Sequence, residues 1–410
     1  MESILGFDPA AVVRAGVLVK QVQGFGAALR SAGYEPASVS AKVLLAAQLG
    51  RWLERRGLGV RELDEERVRE FLRFRRRRYR PQRGAEATLV QLLGRLRAIG
   101  ELAAPALSVK RSAAAGIEEQ YATYLREERG LARVTLINYL PLVDRFLVDR
   151  FGKGPVRFAE LTADDVTRFV LRRAHTMSPG RAKLLVTALR SFLRFLFLSG
   201  ESAMDLTPSV PTVAGWRLAK LPKFIPAKDV HRLLCACNRR TAIGRRDYAV
   251  LLLLARLGLR AGEVAQMALD DIDWEAGELS VRGKGGRLDR LPIPADVGHA
   301  LAEYLRRDRR RCTLRRVFVC AKAPCRGFAG PVAICTIVRR AIARSGLCTP
   351  TKGAHLLRHS LATDLLHRGA SMVEIGELLR HRSPDTTALY AKVDLRSLRE
   401  VALSWPGGAS

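Results

Sequence analysis

A chain of 410 residues, 48% of them hydrophobic, is long enough to bury two or three separate cores and is not composed like a disordered polymer. Its 70 basic against 40 acidic residues leave a formal charge of +30, which suits a polyanionic partner held through phosphate contacts and puts nucleic acid ahead of an anionic membrane. No run approaches the roughly 18 apolar residues of a spanning helix, and the opening MESILGFDPA lacks the charge pattern of a signal peptide, so no membrane association is expected and the chain reads as cytoplasmic.

Of the 70 basic residues 58 are arginine, the side chain whose planar fork grips phosphate through two bonds; GC-rich coding DNA would raise arginine in the same way. Seven cysteines form no framework. Neither Cys235 with Cys237 nor Cys320 with Cys325 has a second pair at zinc-finger spacing, and buried free thiols in a reducing compartment are expected.

Residues 1–107 are read as a helical extension, either an extra arm domain or a degenerate copy of the helical domain at 113–207. LDEERVREFL in it is a capped amphipathic helix. The run RFRRRRYR at 73–80 is dense enough in like charge to be a DNA-contacting helix end, with a solvated helix end as the alternative. Residues 113–207 have apolar positions three or four apart and are expected to form an all-α domain. Within it LTADDVTRFV sets Thr162 to cap a helix, with Asp165 as the reciprocal partner. LDEERVREFL repeats that pattern 98 residues earlier, pairing Leu63 with Leu161, Val68 with Val166, Phe71 with Phe169 and Leu72 with Val170. Any two capped amphipathic helices share some of this likeness.

Residues 208–225 are an expected linker, because Pro208, Pro211 and Pro222 prevent one continuous helix. From 226 to 400 the pattern turns mixed. Helices are predicted over 227–238, 245–258, 295–311, 332–345, 354–368 and 371–380, and ELSVRGKGGRLDRLPIP reads as a hairpin around a glycine-rich turn. DLRSLREVAL looks like a short amphipathic helix able to dock on a neighbouring protomer, and residues 401–410 are a tail. The expected fold is mainly α with a small β-sheet: all-α N-terminal domains joined by a linker to an α+β catalytic domain.

That last domain contains, in order, GLRAGEV with Arg260, RGKGG with Lys284, HLLRHS with His355 and Arg358, LLRH with His381, and TTALY with Tyr390. Each alone is weak. GKGG lacks the spacing of a phosphate-binding P-loop, and His355 with His359 mimics a two-histidine metal face without the glutamate of HExxH. His359 and His367 are expected to be packing or surface groups. Together, in this order, the motifs resemble the tyrosine recombinase, or phage integrase, family. The resemblance covers 226–400, and 113–207 looks like the family's SAM-like core-binding domain. Two letters depart from the family pattern: Arg380 stands where glycine usually ends a helix before the last histidine, and Lys392 where a histidine often follows the tyrosine.

Each residue type suits phosphodiester transfer. Charge spread over a transferring phosphoryl group is stabilised by preorganised cations, and Arg260 and Arg358 stay protonated while offering paired donors. Tyrosine, with a pKa near 10, needs a base or a cationic pocket before it can attack at neutral pH; Tyr390 is the expected nucleophile and His355 the candidate base. A departing 5′ oxygen needs a proton, which Lys284 on its hairpin is suited to deliver. His381 is expected to add a hydrogen bond to the phosphate, and Glu263, one turn after Arg260, to orient the guanidinium.

The resemblance implies a 3′-phosphotyrosyl intermediate, no ATP, cofactor or catalytic metal, and a tetramer on two sites in double-stranded DNA. Partner recombinases are possible. A mobile-element recombinase acting in integration, excision or transposition at a bacterial nucleoid is the preferred expectation. A type IB topoisomerase, which rejoins the same strand, and a DNA-binding protein that does not cut are the alternatives.

Overall fold

The computed structural model describes residues 15–79, 82, 84–103, 113–152, 154–213, 221–283, 287–310, 312–381 and 383–392. The chain divides into two compact units, residues 1–103 together with 220–410, and residues 104–219.

Among the described residues the N-terminal part of the first unit has four α-helices: α1 Val19–Ser31, α2 Pro36–Glu54, α3 Glu65–Arg76 and α4 Ala85–Ala98. Asp64 caps α3, accepting from Arg67 N at 2.8 Å. Glu65 and Glu66 then follow in the first turn and Arg73, Arg75 and Arg76 in the last, the charge order the helix dipole favours. Val68, Phe71 and Leu72 give α3 its buried stripe, and the Phe71 ring meets Trp52 of α2 edge-on at 5.8 Å. Cys325 N donates to Ala32 O at 2.8 Å, and Arg310 Nη1 to Gly33 O at 2.7 Å, so this bundle rests on the C-terminal part through backbone groups after α1.

Residues 104–219 form a second four-helix unit, with α5 Ala113–Glu127, α6 Arg133–Phe151, α7 Ala163–Ala174 and α8 Pro179–Leu198. The expected capping box starts α7: Thr162 Oγ1 accepts from Asp165 N at 3.2 Å while Asp165 Oδ2 accepts from Thr162 N at 3.1 Å. Its core is aromatic, with Tyr121, Phe146, Phe169 and Phe192 all buried.

The C-terminal part of the first unit runs α9 Ala227–Cys235, α10 Ala242–Arg256, α11 Ala261–Gln266, β1 Ile272–Asp273, β2 Glu278–Arg282, β3 Leu288–Pro292, α12 Ala295–Arg307, α13 Pro331–Ser345, α14 His355–His367, α15 Met372–Leu378 and α16 Pro384–Ala391. The apolar run from Ala249 to Ala255 makes α10 buried on all sides, the helix around which this core assembles. The strands form one antiparallel sheet in the order β1-β2-β3, with Leu279 opposite Leu291 and Val281 opposite Asp289. Alternation turns Leu279 and Val281 into the core. Gly283 N donates to Arg287 O at 2.8 Å to close the expected hairpin.

Three expectations need correction. The helix predicted to reach 311 ends at Arg307, where Asp308 N and Arg309 N both donate back to Tyr304 O. The helix predicted to reach 238 ends at Cys235. All seven cysteines are free, but Cys237 alone is buried, Cys235 and Cys348 are exposed, and the rest are half-buried; their helix and loop faces, not their residue type, decide this. The tail helix expected at DLRSLREVAL lies outside the described residues, as does Lys284. Among the described residues no helix is long and apolar enough to cross a membrane.

Candidate active site

The site starts from a turn that only glycine makes without strain. Gly258 has φ +57°, and a Cβ there would lie 2.6 Å from Leu379 Cδ2. The turn delivers Arg260 to the N-cap of α11. There Arg260 N and Nη1 each donate to the Glu263 carboxylate at 2.8 Å. The Glu263 side chain is 6% exposed and holds Arg260 at two points, its backbone N–H and its guanidinium, while the Arg260 side chain stays 36% exposed and able to meet a ligand.

Arg358, on the first turn of α14, is only 4% exposed. Its two Nη atoms donate to the carbonyls of Gly258 and Leu379, one on either side. Burial, together with the neighbouring Arg260 and Arg380 charges, holds its pKa down to about 10. The group therefore keeps its charge at neutral pH, held by two neutral carbonyls in a place where an anionic partner would be welcome.

Arg380 follows α15 with φ +54°, so the left-handed turn expected of glycine is made here by an arginine. Its Nη2 donates to Glu263 at 2.8 Å, and its side chain is 6% exposed. Glu263 thus serves two guanidinium groups. Arg380 Nε, 4.0 Å from Asp289 Oδ2 on β3, points from the pocket towards the hairpin that carries Lys284.

The turn at Arg380 sets His381 beside the tyrosine. His381 N donates to Gly376 O at 2.9 Å, and its Nδ1 lies 2.7 Å from Thr387 Oγ1 on α16. Its ring stacks on Tyr390 at 6.4 Å with 4° between planes. Burial first, then Arg358 and Arg260, pull its pKa down to about 4, so it is a neutral hydrogen-bonding group at pH 7.

Tyr390, on α16, is 2% exposed. Burial pushes its phenol up to about 12, against a smaller downward pull from Arg358. Its hydroxyl lies 2.8 Å from Nδ1 of His359. This corrects the reading of His359 as a packing or surface group, and it is His359, not His355, whose ring nitrogen meets the phenol. His355 lies one turn earlier on α14, its ring 6.2 Å from that of His359. Burial is the first cause of a lowered pKa for both imidazoles, with Arg358 adding to each. With His359 neutral and the phenol protonated, the hydroxyl donates and Nδ1 accepts.

The structure therefore brings together Arg260, Glu263, His355, Arg358, His381 and Tyr390. Sequence reasoning missed His359 and the pairing of Arg380 with Glu263. A signal for the first was present: in HLLRHS, His359 is four residues after His355 and so on the same helix face. His355 and Arg260 also line an open cleft of about 690 Å³ bounded by β2 and α11. Among the described residues no group of three or more His, Cys, Asp or Glu is arranged to hold a metal ion.

Residues 223–396 match the model of the phage integrase family, and residues 119–200 that of the phage integrase N-terminal SAM-like domain. A protein of Sinorhizobium fredii named as an integrase/recombinase, y4rA, is 47% identical over 92% of this chain and 92% of its own. The tyrosine recombinase XerA of Pyrococcus furiosus is 32% identical over 69% of this chain and 91% of its own. Among solved structures, the XerH site-specific recombinase bound to a palindromic difH substrate shares the fold, with a TM-score of 0.54, 18% identity, and 83% of this chain and 97% of that one covered. A λ integrase dimer bound to a COC′ core site has a TM-score of 0.53 at 18% identity, covering 68% of this chain and 96% of that one. With a family model over its C-terminal part and relatives of this identity along most of its length, the chain belongs to the phage integrase family of tyrosine recombinases.

Proposed function

We propose that the pocket around Tyr390 cuts and rejoins double-stranded DNA. The observation that carries this reading is one buried phenol hydrogen-bonded to a neutral imidazole, His359, and facing Arg358, with Arg260 on the adjoining cleft. Tyr390 Oη attacks a backbone phosphorus, the bond from phosphorus to the 5′ oxygen breaks, and a 3′-phosphotyrosyl ester forms. His359 takes the phenolic proton, a role its depressed pKa permits because the ring is neutral when the phosphate arrives. Arg260 and Arg358 hold the non-bridging oxygens as charge builds, and Lys284 gives the proton that the leaving 5′ oxygen needs. A 5′ hydroxyl from a partner strand reverses the step, so no nucleotide is consumed. His355 and His381 contribute N–H groups to the same phosphate.

Because Tyr390 is 2% exposed, a phosphate reaches its oxygen only after α16 shifts from this position. Assembly as a tetramer on two DNA sites, with or without a partner recombinase, at the nucleoid, completes the reading. A mobile-element role is supported by the fold shared with an integrase of the Tn1549 transposon in complex with circular intermediate DNA, whose TM-score is 0.51 at 15% identity.

The test is an SDS-resistant adduct assay on nicked DNA from the flanks of the gene. Wild type should form an adduct and Tyr390→Phe should form none. Tight binding by both without an adduct from either would count against cleavage by this chain.

A further inference from the structure

Three regions invite a role: the arginine-rich end of α3, the cysteines near Arg310, and the cleft between β3 and α15, which Arg380 and His381 join to the pocket. The first carries an argument furthest. We propose that residues 15–103 are a second copy of the core-binding fold, and that the α3 end from Arg73 to Arg78 has been converted into a binding surface for the phosphate backbone of duplex DNA. This rests on the DNA reading above.

The repetition is positional. α3 spans Glu65–Arg76 and α7 spans Ala163–Ala174, the same twelve residues displaced by 98. Each follows a single 3₁₀ turn at the same displacement, Val60–Glu62 and Phe158–Glu160. Asp64 and Thr162 cap the two helices from equivalent positions. The buried faces also agree, Leu63, Val68, Phe71 and Leu72 in one and Leu161, Val166, Phe169 and Val170 in the other. The preceding helices, α2 and α6, are both 19 residues long. A shared cap on unrelated helices would not reproduce the 3₁₀ turn, the helix before it and four core positions together.

The copies differ where the charge lies. In the second unit, Arg172 and Arg173 at the end of α7 are both paired with Asp149 of α6. In the first, the positions of α2 equivalent to Asp149 are Arg51 and Trp52 rather than an acid, and Glu54, the last residue of α2, is turned towards Gly16. Arg73, Arg76, Arg77 and Arg78 are all exposed, and none makes an ion pair among the described residues. Arg75 is held by Gln48 and Gln82 at 3.0 and 3.1 Å, and Arg78 lies 5.0 Å over the Phe74 ring, so the run is shaped by neutral partners. A groove of about 520 Å³ opens beside it between Leu72 and Val90, with Glu86 as an acid on its rim. So many like charges on one helix end repel one another unless a polyanion lies across them, and the rigid backbone of a duplex is the polyanion of matching span.

The measurement is the salt dependence of binding by the full chain to a duplex of arbitrary sequence. Two variants are compared with wild type. One is R73Q/R76Q/R77Q/R78Q. The other, R256Q/R307Q/R315Q/R368Q, removes the same charge from arginines already paired with carboxylates. Each phosphate left without its arginine should flatten the slope of log K against log salt by about 0.9, so the first variant is expected to lose about 2–4 from the slope and the second less than about 1. Equal losses in both, or none in the first at an unchanged melting temperature, overturn the proposal. A first variant that binds DNA normally but changes oligomer mass would overturn it too, assigning the run to a second copy of the chain. The adduct assay separates this from the cleavage reading, because duplex binding is scored whether or not Tyr390 reacts.

Discussion

Nδ1 of His359 lies 2.8 Å from the hydroxyl of Tyr390, although the two residues are 31 positions apart and sit on different helices. Both groups are shifted towards their neutral forms, the imidazole down and the phenol up, by the same burial. A neutral pair of this kind is a resting arrangement with the proton transfer already aligned. Removing the imidazole should therefore slow chemistry more than it disturbs the fold. His359→Gln is expected to reduce the rate of adduct formation on nicked DNA by about 10²–10⁴-fold, the usual contribution of a positioned base. His355→Gln should cost less. Equal losses in the two variants would return the role of base to His355.

Arg358 should be irreplaceable by lysine. Its two Nη atoms satisfy the carbonyls of Gly258 and Leu379 together, and a single ammonium cannot span both. Arg358→Lys is expected to lower stability by about 1–3 kcal/mol, the cost of a buried polar group left unpaired, and to abolish the adduct. A melting curve alongside the adduct assay checks both.

Arg380→Gly separates backbone from side chain. Glycine relieves a left-handed residue by about 1–2 kcal/mol, which offsets the missing ion pair with Glu263. The melting temperature should stay within a few degrees of wild type. Adduct formation should fall at least tenfold, because Glu263 then holds Arg260 alone. A fully active Arg380→Gly enzyme would make Arg380 a bystander.

Gly258→Ala tests the turn. With φ +57° and Leu379 in the way of a Cβ, the variant should be destabilised by more than about 1 kcal/mol and should release the carbonyl that anchors Arg358. Chemical denaturation measures the first effect and the adduct assay the second.

Acid should weaken the site before it unfolds the rest. His355, His359 and His381 all have folded pKa values below their ordinary 6.5, so the folded state binds fewer protons than the unfolded one. Their contribution is complete above about pH 6.5 and is lost as pH falls, with His381 still uncharged until about 4. Stability should decline across this window, and His381→Gln should flatten the decline. An unchanged pH profile in that variant would refute the assignment.

Much of this protein was legible in its letters because the information is local. Apolar spacing marked the helices, the alternation of ELSVR and the glycines after it marked the hairpin, and Thr162 with Asp165 marked a helix start through bonds that span three residues. The order of Arg260, Lys284, His355, Arg358, His381 and Tyr390 was readable as a pattern, since each type has its own phosphate chemistry. What the tertiary structure alone decided is which groups touch. The partner of Tyr390 depends on how α14 packs against α16, and a choice between His355 and His359 turns on one helical turn. Arg380 reads as a defect in a motif until the fold shows its side chain on Glu263. Burial, which shifts the imidazoles of His355, His359 and His381 and the phenol of Tyr390 towards the neutral form, is a property of the assembled core and is carried by no single stretch of the chain.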